Sequence, residues 1–452
     1  MKRYLYNAFC ALTAAWLCVS CDKESGFYIN ESPSTNPGEI EGLLSVTAVM
    51  QDFTDKGVET RASESGTTLS FQNGDAIGVF GVSGGTVKQN NLRFTYTNGK
   101  WSGPELYHEN GVTYYAYFPY ESGMSGKNSL NAIQSTFESR LDGNPNQGNA
   151  TEYMKYCQLL VSSSGSVTPA GTQLSFTFKH ALAMVEFTMP DKLEGFMQSL
   201  KNNHPIYNPS SISCVFSIGG SSSCYNISGK TYRRIVKPNK AIPFSATLCG
   251  RFKYAYDLPS VSAGNYKKIV LQNLALSLEV GDFVYGGDGG TLSFFPGSTT
   301  SDAPDKDKCI GVVATVKGEF GDDGTVIAKK NIVGVKLANY TTAAGNYSPK
   351  APGGCSWYLQ DGKELHYLCQ GSTDTDQTGT SMRDKLDPYL ERAGGEKWYN
   401  TSPIMYYWTS DYKHWGGSGH YYFISFGNGI YTYNVHTPPS TQTLCIRPSF
   451  RF

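Results

Sequence analysis

An excess of charge of either sign is missing from this chain: 38 Lys and Arg balance 38 Asp and Glu, and charged residues make up only 17% of the sequence. A nucleic-acid partner needs a basic face, and a peripheral membrane protein needs a polybasic patch; neither is present. Long hydrophobic runs are also missing beyond the first twenty residues, so the mature chain has no stretch able to span a bilayer as a helix. No HExxH and no P-loop occurs, and no Cys-x-x-Cys pair follows Cys21. The common sequence signals of zinc hydrolysis, nucleotide binding and zinc-ribbon sites are therefore absent. One Gly-x-Ser-x-Gly run exists at Gly81 to Gly85, but it follows a strand pattern without opening a helix and reads as a glycine-rich turn. Acidic residues group at Asp302, Asp305 and Asp307, at Asp322 and Asp323, and at Asp374 and Asp376. None has the ligand spacing of a calcium loop, and solvated loop acids are expected. His180 has no carboxylate or cysteine at metal spacing around it and reads as a hydrogen-bonded structural residue. The chain is expected not to be an enzyme and to hold no cofactor or metal.

What is abundant is Tyr (31), Phe (23) and Gly (49), with Ser, Thr and Asn in the polar stretches. This is the composition of antiparallel sheets joined by turns. Lys2 and Arg3 precede an apolar run from Tyr4 to Val19 that ends at Ser20-Cys21, the layout of a signal peptide. A cysteine after a small residue resembles a bacterial lipoprotein signal, although Cys18 stands where Leu is usual. The resemblance implies lipidation at Cys21, with residues 1–21 as signal and an anchor in the outer membrane at the cell surface; simple secretion is the alternative. Residues 22–42, rich in Ser, Pro, Asn and Gly, are expected to be a flexible tether. Eight further cysteines remain in the mature chain, too many for connectivity to be read from spacing.

In the stretch LLSVTAVMQDFTDKGVETRA (43–62), Leu44, Val46, Ala48 and Met50 alternate with Ser45, Thr47 and Val49. That is the period-2 pattern of a half-buried strand. If the chain is cut after Arg61, the new N-terminus is Ala62 and the sandwich keeps an open edge, which can accept a strand from another chain. Short strands with turn signals continue to about residue 190, including Leu69 to Phe80 with Asn73-Gly74-Asp75 at its centre, Val112 to Tyr120 and Leu174 to Phe187. Strands at Cys214 to Ile218, Arg234 to Val236 and Lys268 to Leu271 suggest a second, smaller β-domain over 191–277. After Ser277 two helices are predicted, one opening at Asp361 with Glu364 three residues on, the other over Ser381 to Ala393 with Pro388 inside and Gly394-Gly395 after it.

The order of the lipoprotein signal, an early strand, Thr60-Arg61-Ala62, the Gly74–Phe80 run, Tyr115-Ala116-Tyr117-Phe118-Pro119-Tyr120 and Phe176-Thr177-Phe178-Lys179-His180-Ala181-Leu182-Ala183 resembles the Bacteroidetes fimbrillin family of surface lipoproteins. The resemblance covers about the first 190 residues. It implies tandem antiparallel β-sandwich domains, proteolytic processing at Arg61 and Ala62, and displacement of the strand carrying Leu44, Val46, Ala48 and Met50. Its place would be taken by a strand from another fimbrial subunit. Residues 278–452 resemble the FISUMP-type paralogous domain at the C-termini of bacterial surface proteins, on Gly281-Asp282-Phe283-Val284-Tyr285, Trp357-Tyr358-Leu359, Trp408-Thr409-Ser410 and Ile446-Arg447-Pro448. They depart from it at Gln360-Asp361. That likeness implies a mixed α+β module of C-type-lectin-like outline.

Domains are thus expected at 43–190, 191–277 and 278–452 in a mainly β protein. Within the last, Trp398, Tyr412, His414 and Trp415 form the candidate ligand surface for a glycan or protein, because exposed aromatics stack on sugar rings and anchor interfaces. The expected function is a fimbrial (pilus) subunit, at the tip, with an adhesive C-terminal module; the alternative is a cell-surface glycan-binding lipoprotein that never polymerises.

Overall fold

The computed structural model describes residues 42–55, 70–162, 165–167, 172–316, 323–370, 382–398, 405–415, 418–427, 430–436 and 443–452, and the chain is mainly β. Ten strands and two helices organise its first part: β1 (Ser45–Met50), β2 (Thr54–Asp55), β3 (Ala76–Ser83), β4 (Thr86–Thr97), β5 (Lys100–Ser102), β6 (Thr113–Phe118), α1 (Leu130–Ser139), α2 (Ala150–Cys157), β7 (Leu160–Ser162), β8 (Ser166–Val167), β9 (Gln173–His180) and β10 (Ala183–Thr188). Eight of these strands form one sheet in the order β1-β9-β7-β6-β3-β4-β5, with β8 also on β9. The Gly-x-Ser-x-Gly run lies at the β3–β4 hairpin: Gly84 and Gly85, at φ +53° and +79°, turn the chain where a Cβ is disfavoured. Gly78 is demanded by packing, since a Cβ there would lie 2.1 Å from the Tyr117 ring. That ring reaches across to bond Asn91 and the Glu121 carbonyl, each at 2.8 Å.

Both faces of this sheet are covered. One buries Ile77, Val79, Phe94, Phe118, Leu174, Phe176 and Phe178; the other packs Phe80 and Tyr117 under the helices through Ile133, Phe137, Tyr153 and Cys157. The helices depart from the all-strand expectation for 43–190. Each has a local cause: Ser129 caps the Ala132 amide at 3.3 Å and Asn149 caps that of Glu152 at 3.0 Å, and each buries an i,i+4 pair, Ile133 with Phe137 and Tyr153 with Cys157.

The chain then builds a second sandwich. A five-stranded sheet runs Tyr225–Ser228, Thr231–Val236, β10, Asn265–Ile269, β2, and faces a three-stranded one of Cys214–Ile218, Ile242–Leu248 and Phe252–Leu258. Phe187 meets Phe216 and Phe244 between them, with centroids 4.9 and 5.3 Å away.

Beyond residue 277 two five-stranded sheets follow. Ser293–Phe295, Phe283–Tyr285, Gly311–Thr315, Thr325–Ala328 and Ser449–Arg451 form one; Ile332–Lys336, Thr443–Ile446, Met405–Trp415, Ser418–Gly427 and Ile430–His436 form the other. Helices lie at Gly362–Gln370 and Met382–Arg392. Asp361 caps the first by accepting from the Glu364 amide at 2.7 Å. The Glu364 carboxylate does not close a capping box; it takes the Tyr358 hydroxyl and, at 3.2 Å, Arg451. Residues on the two sides of position 277 share one hydrophobic core, from Ala183 to Phe450. Tyr207 stacks on Tyr285 at 3.5 Å and 6°, and its hydroxyl donates to Asp305 at 2.7 Å.

Candidate functional site

The site of most consequence is the sheet edge under β1. Its register with β9 runs from Ser45 opposite Gln173 to Met50 opposite Phe178, and it is parallel, whereas every other described pairing in that sheet is antiparallel. Leu44 and Val46 are buried in the same core as Leu174, Phe176 and Phe178, while Ala48 and Met50 pack on its flank. Outward-facing Val49 is 59% exposed. Thr47 Oγ1 donates to Ser175 Oγ at 2.8 Å. On its far side, among the described residues, β1 is bonded at its start, where Leu44 N donates to the Leu106 carbonyl at 2.8 Å and His108 N to that of Gly42 at 2.7 Å, and it runs close beside β5. Burying Leu44 and Val46 is worth ~1.5–3 kcal/mol each.

The segment does not stop at the first sheet. Gln51 N bonds the Phe178 carbonyl at 2.8 Å, Thr54 N bonds that of Gly264 at 3.0 Å, and β2 pairs in parallel with Asn265 and Tyr266 at the edge of the second sandwich. Between the two pairings, Phe53 lies on the imidazole of His180, centroids 3.7 Å apart and 6° from parallel. His180 is buried, and its Nδ1–H donates to the Cys157 carbonyl at 2.7 Å. Burial pulls its pKa down to about 4, so the ring is neutral at pH 7. Residues 42–55 thus fill one continuous groove along two sheet edges. The alternation of Leu44 to Met50 signalled the first half; β2 and the Phe53 ring carried no pattern that could have announced them.

Cys21, Arg61 and Ala62 lie outside the described residues. Of the candidate ligand residues, Trp398 is a correction: at 1% exposure it is core, edge-on to Tyr407 at 5.1 Å and roofed by the Arg447 guanidinium at 4.6 Å. Its apolar area is consumed by packing and is not available to a ligand. Tyr412, His414 and Trp415 end the strand Met405–Trp415, opposite Tyr421, Gly419 and Ser418. Trp408 is buried and donates from Nε1 to the Val335 carbonyl at 3.1 Å. Among the described residues, no group of three or more His, Cys, Asp or Glu side chains could hold a metal ion. Asp302 pairs with Lys306 at 2.7 Å and Arg392 at 3.3 Å. Burial pushes the thiols of Cys214, Cys224 and Cys309 up to about 11, far from a reactive thiolate.

At the other end of the chain, Arg447 is buried with every arm of its guanidinium engaged: Nε donates to Asn331 at 2.8 Å, Nη1 to the Ala328 carbonyl at 3.2 Å, and Nη2 to those of Glu396 and Lys397 at 2.8 and 3.0 Å. Ser449 and Phe450 are fully buried.

Residues 60–205 match the family model described as fimbrillin-like. Over 371 residues, 75% of this chain and 67% of the other, the sequence is 26% identical to a Bacteroides ovatus protein assigned by name as a fimbrium tip subunit, Fim1C. Among solved structures, a fimbrial protein from Bacteroides ovatus aligns over 92% of this chain and 100% of its own, at 17% identity and a TM-score of 0.36. A Bacteroides fragilis protein assigned to cell adhesion aligns over 58% of this chain and 99% of its own, at 14% identity and a TM-score of 0.22.

Proposed function

We propose that this chain is a fimbrial adhesion subunit that accepts a strand from a neighbouring subunit in the groove now filled by residues 42–55. The observation that carries the reading is the placement of β1 and β2, each a parallel strand at the end of its sheet. Such a strand can leave without breaking the pairings among those that stay, and parallel pairing is slightly weaker per residue than antiparallel. Cutting at Arg61 removes none of its contacts. It makes them intermolecular, so that a competing strand at high local concentration can take them over. The fimbrillin-like match begins at residue 60, beside Arg61, and the relationship to a protein named as a fimbrium tip subunit supports the fimbrial role.

The tip position and the adhesive role of residues 278–452 belong to the same proposal. Thr443–Ile446 and Ser449–Arg451 are built into two sheets, which makes this segment a poor donor, and Tyr412, His414 and Trp415 remain the residues assigned to ligand contact. Lipidation at Cys21 would bring the precursor to the outer membrane. Mass spectrometry of the surface protein tests the processing. An N-terminus at Ala62 in the wild type, lost together with fimbrial incorporation in Arg61→Ala, is the expected result; a lipidated Cys21 peptide as the sole N-terminus in assembled fimbriae overturns it. Binding of the full chain to a glycan array, with and without Trp415→Ala, tests the adhesive surface.

A further inference from the structure

We infer that the groove reads an aromatic side chain in the strand it accepts, at the place Phe53 now occupies against His180; this rests on the strand-exchange reading above. The pocket lies where the two sandwiches meet. His180 is the last residue of β9, its ring oriented by the Cys157 carbonyl. Opposite runs the turn at Gly264, whose amide bonds the Leu182 carbonyl at 2.9 Å and whose carbonyl receives the Thr54 amide at 3.0 Å. Gly264 stands at φ +74°, a left-handed conformation that favours glycine, so the turn brings backbone with no side chain of its own up to His180. Phe53 fills that slot as a parallel plate and packs on the core that holds Leu182, Met184 and Tyr266.

A strand that replaced only β1 would satisfy the β9 edge through the carbonyl of Phe178 and stop. Its alternating apolar residues would restore the first core, but His180 would open to water beside Leu182 and Tyr266. The fitting partner is an extended segment of a second subunit with small or aliphatic residues at the Leu44, Val46, Ala48 and Met50 positions and a planar aromatic three residues after the last. The imidazole presents a flat face 3.7 Å from the ring centroid, which a planar side chain covers in full contact and an aliphatic one of similar area covers only in part. The requirement is positional, so an aromatic displaced by one residue would face away from the slot.

The test uses the full chain with a site-specific protease sequence at residues 56–61. After the cut, the chain is held in mild denaturant and offered labelled peptides of the sequence GLLSVTAVMQDFTD, as written and with Phe53→Ala or Phe53→Leu. The expected result is uptake of the native peptide, at least tenfold weaker uptake of the alanine peptide, and an intermediate value for leucine. Equal uptake of all three overturns the aromatic slot and leaves strand exchange standing. No uptake of the native peptide, or a cut segment that is never released, overturns strand exchange itself. As a second measurement, the cut full-length Phe53→Ala chain should lose its own leader at least tenfold faster than the cut wild type, and equal release rates count against the slot.

Discussion

The two edge strands toward opposite ends of the described chain, β1 and Ser449–Arg451, look alike in a topology diagram and differ in what their neighbours would lose if they left. β1 is parallel to β9, is bonded on its far side at its start, where it runs close beside β5, and turns Val49 to solvent. Its departure uncovers apolar side chains and the backbone groups of one strand edge, needs that any chain of the right alternation can meet. Ser449–Arg451 is antiparallel to Thr325–Ala328 and bridged to Tyr358 on the other side, with reciprocal bonds of 2.8 and 3.0 Å. Its departure would pull on Arg447 and on the Arg451–Glu364 ion pair, and would leave carbonyls without donors that no generic strand supplies. Replaceability of an edge therefore follows from the chemistry of its contacts more than from its position. Apolar contacts can be exchanged between partners; a buried, directional polar cluster cannot.

The largest effect that would break this contrast is at Arg447. Arg447→Met keeps an unbranched apolar stem, leaves the guanidinium's space empty and removes donors from the Ala328, Glu396 and Lys397 carbonyls. The expected loss is ~3–5 kcal/mol in urea denaturation followed by tryptophan fluorescence, the scale of an unpaired buried polar cluster. A loss under about 1 kcal/mol would put the C-terminal strand in the same class as β1. Next comes acid. The folded His180 titrates near 4, pulled down by burial, against about 6.5 unfolded. Between these values the unfolded chain binds a proton that the folded chain does not, so stability present above pH 6.5 is lost progressively as pH falls to 4 and levels off below. The total is on the order of 3 kcal/mol. Phe53→Ala admits water to the ring and should shrink that loss, measured as the difference in unfolding free energy between pH 7 and pH 4.5; an unchanged loss would mean that Phe53 does not help keep the ring dry.

Local patterns announced a good deal of this. The alternation of Leu44 to Met50 is visible in the string because a half-buried edge strand needs it. Cys214 to Ile218 emerges as a strand with those bounds, and Asp361 with Gly394 marks helix ends, because caps are chemistry between near neighbours. Helices α1 and α2 were equally readable through Ser129 and Asn149 but sat among aromatic strand signals. What could not be read is whatever depends on distant partners. Trp398 carries the same letters as an exposed aromatic, and only the Arg447 guanidinium and the Tyr407 ring make it core. β2 spans two residues, and its meaning comes from Asn265 and Tyr266, more than two hundred positions away.

The smaller effects sharpen the contrast on β1 itself. Val46→Ala removes two buried methyl groups from the face that β1 shares with Leu174 and Phe176, and should cost the uncut chain about 1–2 kcal/mol. The same loss in a chain cut at Arg61 should speed leader release roughly tenfold. Val49→Lys changes the neighbouring position on the opposite face, where the side chain already meets solvent. Its expected effect on unfolding free energy is within about 0.5 kcal/mol, as for other surface substitutions, and the leader should leave a cut chain at the wild-type rate. Measured together, the pair separates what holds the strand from what merely lies along it. A Val49→Lys chain that released its leader as fast as Val46→Ala would mean that the outer face of β1 is covered too, and the strand would then no longer be the replaceable edge of the two.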